Sequence, residues 1–361
     1  MNSAERLKAE FREIGVALSH LSDAYGELAL GGQTQAHRAI CMYMGEVVSA
    51  IERVVDVGRK IEFDDRELLK YLKGYGIRAN DVTLYDVDDK FKKLCVRACL
   101  SKGQCITTRE FSTIIGPYFD KKFLSVDGNR NIINRDWHEY TFVMAPMFKS
   151  VWHVENVCKD KAYVSGDCFS YMSLPYGRDV IAIVDGCGSG ARANHDSKLV
   201  IELLEEFVNA GFSYKGAISM INAAFAINDN IGTPQTLDMC VMDLYLGVCN
   251  FVKLGAVSTF IKRSDWVEII KSTTLPMGVL DSIDFDNSVK KVYAGDAVFM
   301  ISDGVLEAFD VEDKEEMMMR LILNLNRSTP KEMSREIIKR AKAACGGRAC
   351  DDMTVAVIMI E

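Results

Sequence analysis

Val180-Ile181-Ala182-Ile183-Val184-Asp185-Gly186-Cys187-Gly188-Ser189-Gly190 is the stretch on which the reading of this chain turns. An unbroken apolar run rich in β-branched residues predicts a strand buried on both faces. It ends in an aspartate followed by a glycine. That is an economical way to aim a carboxylate from a rigid edge, with a glycine free to turn sharply and bring its carbonyl close. The ending recurs downstream, where Val298-Phe299-Met300-Ile301-Ser302 leads into Asp303-Gly304. Two further acidic sites flank expected strands: Asp167 in Ser165-Gly166-Asp167, and Asp351-Asp352 before Met353-Thr354-Val355-Ala356-Val357-Ile358. A single Asp-Gly is ordinary turn chemistry. Two of them after buried strands, with two more acidic sites at strand edges, point to a shared purpose.

Four carboxylates brought together would repel one another unless cations intervened. No Arg or Lys motif accompanies them, and an all-oxygen donor set suits Mg²⁺ or Mn²⁺ rather than zinc or copper. Two such ions can activate water and clamp a phosphoryl group. Cys187 and Ser189 are the obvious nucleophile candidates here, but both read more simply as loop formers.

The same glycines carry a rival reading. Gly186-Cys187-Gly188-Ser189-Gly190-Ala191 fits a dinucleotide-binding fingerprint, which should open a βαβ unit and be followed by a second strand ending in an acid. Here the next segment has helical spacing, through Val200, Leu203, Leu204 and Phe207. The expected strand does not arrive, so this reading fails on pattern.

Outward from this stretch, strands are expected over Tyr140–Ala145, Val151–Val157 and Cys168–Leu174, then over Leu237–Leu244, Cys249–Leu254, Ser258–Lys262 and Val267–Ile270, and finally over Val298–Ile301 and Met353–Ile360. Helices are expected over Asn194–Ala210, Lys215–Ala226 and Glu332–Ala344. Strands in runs with helices grouped between them predict packed sheets covered by helices, an α/β fold of the α+β type. Before residue 130 the expected elements are a helix over Asp65–Lys73, strands over Val82–Val87 and Lys92–Leu100, and a helix over Thr107–Tyr118 capped by Thr107 or Thr108. At the N-terminus, Leu7, Phe11, Ile14, Leu18, Leu21, Tyr25 and Leu28 form a heptad seam, which Ile40, Met44, Val47, Ile51 and Val54 repeat. Such seams usually mark a helical hairpin within a domain; a homo-oligomer through these helices is the alternative.

Bulk properties bound the classes. The chain has 361 residues, 48% hydrophobic and 26% charged, with a net charge of −8. That is the composition of a folded protein of about two domains, and the acidic balance argues against a nucleic-acid partner. No apolar run reaches the roughly 20 residues of a membrane span, and no signal core follows Met1. A soluble, cytoplasmic protein is expected. The 11 cysteines lack paired C-x-x-C spacing and read as reduced thiols.

Taken together, Ser165-Gly166-Asp167, Asp185-Gly186-Cys187-Gly188-Ser189-Gly190, Thr236-Leu237-Asp238, Leu275-Pro276-Met277-Gly278, Ser302-Asp303-Gly304 and Asp351-Asp352-Met353-Thr354 resemble, in order and approximate spacing, the phosphatase domain of the stage II sporulation protein E family of PPM-type phosphatases. The likeness covers roughly residues 140–361; residues 1–135 more weakly resemble the regulatory segment that precedes that domain. The resemblance implies an α/β/β/α sandwich behind a helical and small α/β regulatory domain, and a metal-dependent serine/threonine protein phosphatase using two Mn²⁺ or Mg²⁺ ions. Asp185 would bridge the ions, and Asp303 shares its catalytic role. The Gly186 carbonyl, Asp303 and Asp351 would be further metal ligands, with Asp167 acting directly or through water. Asp351 is chosen over Asp352 because the first polar residue of the family's last motif is the ligand. The implied substrate is a phosphoserine on an anti-anti-sigma factor, whose dephosphorylation frees a sporulation sigma factor. The family usually has Met where Cys187 stands, and commonly carries an N-terminal membrane region. A catalytically weak scaffold for a cell-division or sigma-regulatory partner is the alternative class of function, against which the intact aspartate set argues; a phosphatase for another phosphoprotein is the third reading.

Overall fold

A computed structural model describes residues 44–47, 59–87, 89–101, 105–126, 128–174, 176–186, 188–227, 233–280, 286–326 and 329–361. Of the two heptad seams, only Met44 and Val47 lie among them; Cys187 lies outside. The chain divides into two compact units, residues 56–147 and residues 148–361 together with 1–55.

The smaller unit is built on an antiparallel sheet. Its strands are β1 (Arg59–Ile61), β2 (Ile77–Val87), β3 (Phe91–Leu100), β5 (Phe123–Ser125) and β7 (His138–Met144), in the order β1-β2-β3-β7-β5. The short β4 (Ile106–Thr107) and β6 (Ile132–Ile133) pair separately. Helix α1 (Asp65–Gly74) buries Leu68 and Leu72, and α2 (Thr108–Phe119) buries Phe111 and Ile115, against Leu84, Leu94, Val96, Tyr140 and Phe142 of the sheet. Thr107 is the N-cap of α2 and forms a reciprocal capping box with Glu110. The strand expected over Tyr140–Ala145 sits in this sheet as β7, paired with β3 and β5, because Tyr140 and Phe142 point into its core.

The larger unit places two five-stranded antiparallel sheets face to face. One runs β15-β12-β11-β10-β9, from β9 (Cys168–Leu174), β10 (Arg178–Gly186), β11 (Gln235–Asp243), β12 (Val248–Leu254) and β15 (Asp286–Lys291). The other runs β14-β13-β16-β17-β8, from β8 (Ser150–Val157), β13 (Thr259–Lys262), β14 (Val267–Ile270), β16 (Ala297–Ile301) and β17 (Met353–Ile360). The apolar run of β10 splits by alternation. Ile181 and Ile183 face the other sheet, among Cys240, Met242, Phe251, Ile261, Val298, Met300 and Ile358. Val180, Ala182 and Val184 face helices α3 (Ala191–Asn209) and α4 (Tyr214–Ile227). On the opposite side, Phe299, Ile301, Val355 and Val357 face α6 (Lys314–Leu323) and α7 (Pro330–Ala344), with the short α5 (Asp303–Glu307) at the sheet end. The layers are α/β/β/α, as the resemblance implied. Glu46, in the helical turn 44–47 of the same unit, accepts from the Ser213 backbone N–H at 3.1 Å and its hydroxyl at 3.0 Å, just before α4.

β10 is antiparallel to both neighbours, β9 and β11. No βαβ unit surrounds the glycine-rich turn, which removes the dinucleotide reading. Among the described residues no helix is long and apolar enough to cross a membrane.

Candidate metal-binding site

At one end of the inter-sheet layer, the inward-facing positions change from apolar to polar. Following β10 past Ile181 and Ile183 leads to Asp185. Following β11 back from Met242 and Cys240 leads to Asp238 and Thr236. On the second sheet, Val298 and Met300 give way to Ser302, and Ile358 and Ala356 to Thr354. Alternation along strands that stop at the same edge therefore gathers these groups.

Thr354 is the hub. Its hydroxyl donates to Asp167 Oδ2 at 2.6 Å and accepts from Asn156 Nδ2 at 2.8 Å. Its N–H donates to Ser302 Oγ at 2.9 Å. Asp185 has the side chains of both Asp167 and Asp303 within hydrogen-bonding reach. Asp185, Gly186, Asp303, Asp351 and Asp352 line one cavity of about 250 Å³. Thr236, Pro234 and Pro276 supply its non-acidic wall. Asp167 does not line the cavity; it lies behind, buried, in contact with Asp185.

The two adjacent acids of the last motif have different surroundings. Buried Asp352 accepts the Lys159 N–H on Oδ1 and the Gly166 N–H on Oδ2, both at 2.8 Å. Both oxygens thus tie down the loop that carries Asp167. Asp351 is half-exposed and meets the Lys159 ammonium at 3.3 Å. Lys159 and the anchoring role of Asp352 escape sequence reasoning, since nothing local in Asp351-Asp352 says which side chain turns inward.

The glycines after Asp185 and Asp303 do not act through a left-handed turn, for neither has a positive φ. They provide room. A Cβ on Gly186 would lie 2.7 Å from Ser197 Oγ and 2.9 Å from the Ala193 carbonyl, and one on Gly304 would lie 2.1 Å from the Asp352 carbonyl. Gly304 also sits in α5, so Asp303 opens a helical turn rather than ending a strand.

The donor chemistry fits divalent cations. Burial, then the charges of Asp167 and Asp303, pushes the Asp185 carboxyl up to about 10. Burial also raises Asp167. Three neighbouring acids of which one cannot readily ionise make an incomplete set, and cations would complete it. Among the described residues no Lys or Arg lines the cavity. No three His, Cys, Asp or Glu side chains among them meet closely enough to enclose one ion; the acids form a wall rather than a cage.

A helix-flanked double sheet with carboxylates gathered at one edge defines the class, the PP2C-type serine/threonine phosphatase fold. The sequence pattern of the stage II sporulation protein E (SpoIIE) family matches residues 175–361, and the chain belongs to that family. It is 26% identical to stage II sporulation protein E of Bacillus subtilis over 99% of this chain and 45% of that protein. Against the protein of the same name from Priestia megaterium it is 28% identical, over 88% of this chain and 54% of that protein. The chain thus spans about half the length of these relatives. The solved PP2C phosphatase domain of Bacillus subtilis SpoIIE, with a fragment of its regulatory domain, superimposes with a TM-score of 0.68 at 26% identity, covering 95% of this chain and 97% of that one. The RsbU and RsbW domains of a Mycobacterium tuberculosis protein share the fold, with a TM-score of 0.53 at 17% identity, over 60% of this chain and 61% of that one.

Proposed function

We propose that this protein is a metal-dependent serine/threonine protein phosphatase, with the catalytic domain beginning at residue 148 rather than at 140, because the strand His138–Met144 belongs to the smaller unit, and with that smaller unit as part of a regulatory region. The observation that carries the reading is the convergence of Asp185, Asp303 and Asp351 on one cavity at the edge of the inter-sheet layer. Asp185 would be central to the set that holds two Mn²⁺ or Mg²⁺ ions. Asp303, Asp351 and the Gly186 carbonyl would complete their shells, with Asp167 acting from behind. When bound, the ions supply Lewis acidity to water and to phosphoryl oxygens.

The chain's own residues do the rest. Asp167, held by Thr354, fixes the orientation of Asp185 from the buried side. Asp352 anchors the 159–166 loop through two backbone N–H groups, and half-exposed Asp351 lines the cavity beside it. Thr236, Pro234 and Pro276 bound the space for the phosphorylated residue. No protein nucleophile is required: water attacks phosphorus in line, the bond from phosphorus to the serine oxygen breaks, and that oxygen takes up a proton, giving serine and inorganic phosphate. The substrate we favour is a phosphoserine on a small anti-anti-sigma factor, with release of a sporulation sigma factor as its consequence. Membership of the sporulation family supports that choice. The test is phosphate release from a phosphoserine anti-anti-sigma protein and from a generic aryl phosphate, with and without Mn²⁺. Metal-dependent turnover of both supports the assignment. Turnover of the aryl ester alone would keep the phosphatase and reject the substrate.

A further inference from the structure

Beneath the cavity lies a buried charge pair that the proposed chemistry does not use. Asp238 and Lys253 stand opposite each other on β11 and β12, 2.6 Å apart, with side chains 2% and 1% exposed. Thr259 reaches across from β13 in the other sheet. It accepts from Lys253 Nζ at 2.8 Å and donates to Asp238 Oδ2 at 2.6 Å. Asp238 Oδ1 is buried with no hydrogen-bond partner among the described residues.

Such a cluster is poorly explained by stability. A buried ion pair recovers little beyond its own desolvation, and apolar replacement of both partners is often neutral or better. An unsatisfied buried oxygen makes matters worse. What the cluster does have is continuity with the cavity. Asp238 follows Thr236 on the same face of β11, and Thr236 pairs across with Asp185. The Lys253 carbonyl accepts the Thr274 hydroxyl at 2.8 Å, and the Gly255 N–H donates to the Thr274 carbonyl at 3.2 Å. Gly255, at φ 62°, lets Pro276 approach so closely that a Cβ would lie 2.6 Å from its Cγ. Met277 and Gln235 then exchange two backbone hydrogen bonds, of 2.8 and 3.1 Å. The segment 274–277 is therefore hung from the end of β12 and closed onto the start of β11, and this arrangement presents Pro234, Thr236 and Pro276 to the cavity.

We propose that Asp238, Lys253 and Thr259 are positioning residues that hold the non-acidic wall of the cavity in place and so set the fit of the phosphorylated residue. The inference rests on the phosphatase reading. It predicts that substrate fit depends on this clamp independently of overall stability.

The experiment compares wild type with Lys253→Met, the double variant Asp238→Leu with Lys253→Met, and Thr259→Val, which cuts the inter-sheet link while leaving the ion pair. For each, thermal melting, Mn²⁺ affinity by calorimetry, and KM and kcat on a phosphoserine peptide are measured, with hydrogen exchange at the Gln235, Gly255 and Met277 amides. Lys253→Met should be destabilised by its stranded aspartate. The double variant should melt with wild type and bind Mn²⁺ equally well, yet show KM raised about tenfold, since displacements of about 1 Å near a reacting group cost up to about 100-fold. Its three reporter amides should exchange faster. Thr259→Val should follow it in KM and exchange, which also covers a double variant that fails to fold. If KM and exchange return to wild-type values wherever melting does, the cluster is structural only and the inference is overturned. A wild-type protein with no metal-dependent turnover would instead overturn the phosphatase reading, and this inference with it.

Discussion

Both units of this molecule lay helices on antiparallel sheets, yet they treat polar groups in opposite ways. In the smaller one the buried hydroxyls find local partners: Ser112 donates to the Arg109 carbonyl at 2.7 Å and Thr108 to the Asn131 carbonyl at 3.4 Å. Its Arg97–Asp81 ion pair is open to solvent. In the larger one Asp167, Asp238, Lys253, Lys262 and Asp352 are all buried. Burying a charge is costly unless something compensates, so each asks for its own explanation. Lys262 has a structural one: its ammonium caps α6 by donating to the carbonyls of Ile322, Leu323 and Leu325, where the helix dipole favours a cation. Asp185 has none of that kind, because its close neighbours Asp167 and Asp303 carry the same sign. Partners of like sign, rather than burial itself, separate a site from a scaffold here.

The sharpest way to break this contrast is Asp185→Asn. Phosphatase turnover should fall at least about 100-fold, the scale on which metal-site residues act. The apo protein should be at least as stable as wild type, since one of several repelling carboxylates is gone. Steady-state rates and thermal melts of the same preparation check both. Next in size is Asp352→Asn, which weakens the hold on the Lys159 and Gly166 N–H groups without removing a proposed ligand. Mn²⁺ affinity should fall about 10- to 100-fold by calorimetry, as for supporting residues around metal ligands.

Proton linkage distinguishes the units in another way. The Asp185 carboxyl is raised from its ordinary 3.8 to about 10 by burial and by its acidic neighbours. The folded state then holds a proton that the unfolded state releases. Its stabilisation is complete below about pH 4 and is lost as pH rises toward about pH 10. In chelator, the melting temperature of the larger unit should fall across that window, and saturating Mn²⁺ should reduce the fall. A pH-independent apo melt would contradict the assignment. The smallest expected effect lies in the other unit. Thr107→Ala removes the α2 capping box and should cost about 1 kcal/mol by denaturant unfolding, with turnover unchanged.

The sequence carried much of this arrangement because the decisive strands are long and two-sided. The runs ending at Asp185 and Asp303 could only be buried strands, and Cys168–Leu174, Val267–Ile270 and Met353–Ile360 are found as expected. β15 was not legible: Asp286-Asn287-Ser288-Val289-Lys290-Lys291 is polar because it is an edge strand, paired only with β12. α6 is not legible because its apolar residues fall in two runs, Met317-Met318-Met319 and Leu321-Ile322-Leu323, without clear spacing, its cap at Asp313 notwithstanding. Within the site, Asp185 is legible from a strand ending and Asp303 from the apolar run before it, although that strand stops at Ile301 and Asp303 opens a helical turn. The choice of Asp351 over Asp352 rested on resemblance, since it depends on backbone N–H groups of a loop nearly two hundred positions away in the chain. The Asp238–Lys253–Thr259 cluster was invisible for the same reason: register between sheets joins residues that no local pattern connects.

One measurement bears most directly on the central claim, that carboxylates gathered at the edge of the inter-sheet layer hold divalent ions for phosphoserine hydrolysis. It is phosphate release from a phosphoserine protein substrate as a function of Mn²⁺, for wild type and for Asp303→Asn side by side. Wild-type turnover should saturate with Mn²⁺ and vanish in chelator, and the variant should show none at any Mn²⁺ concentration. Full turnover after exhaustive chelation, or wild-type turnover by Asp303→Asn, would contradict that claim.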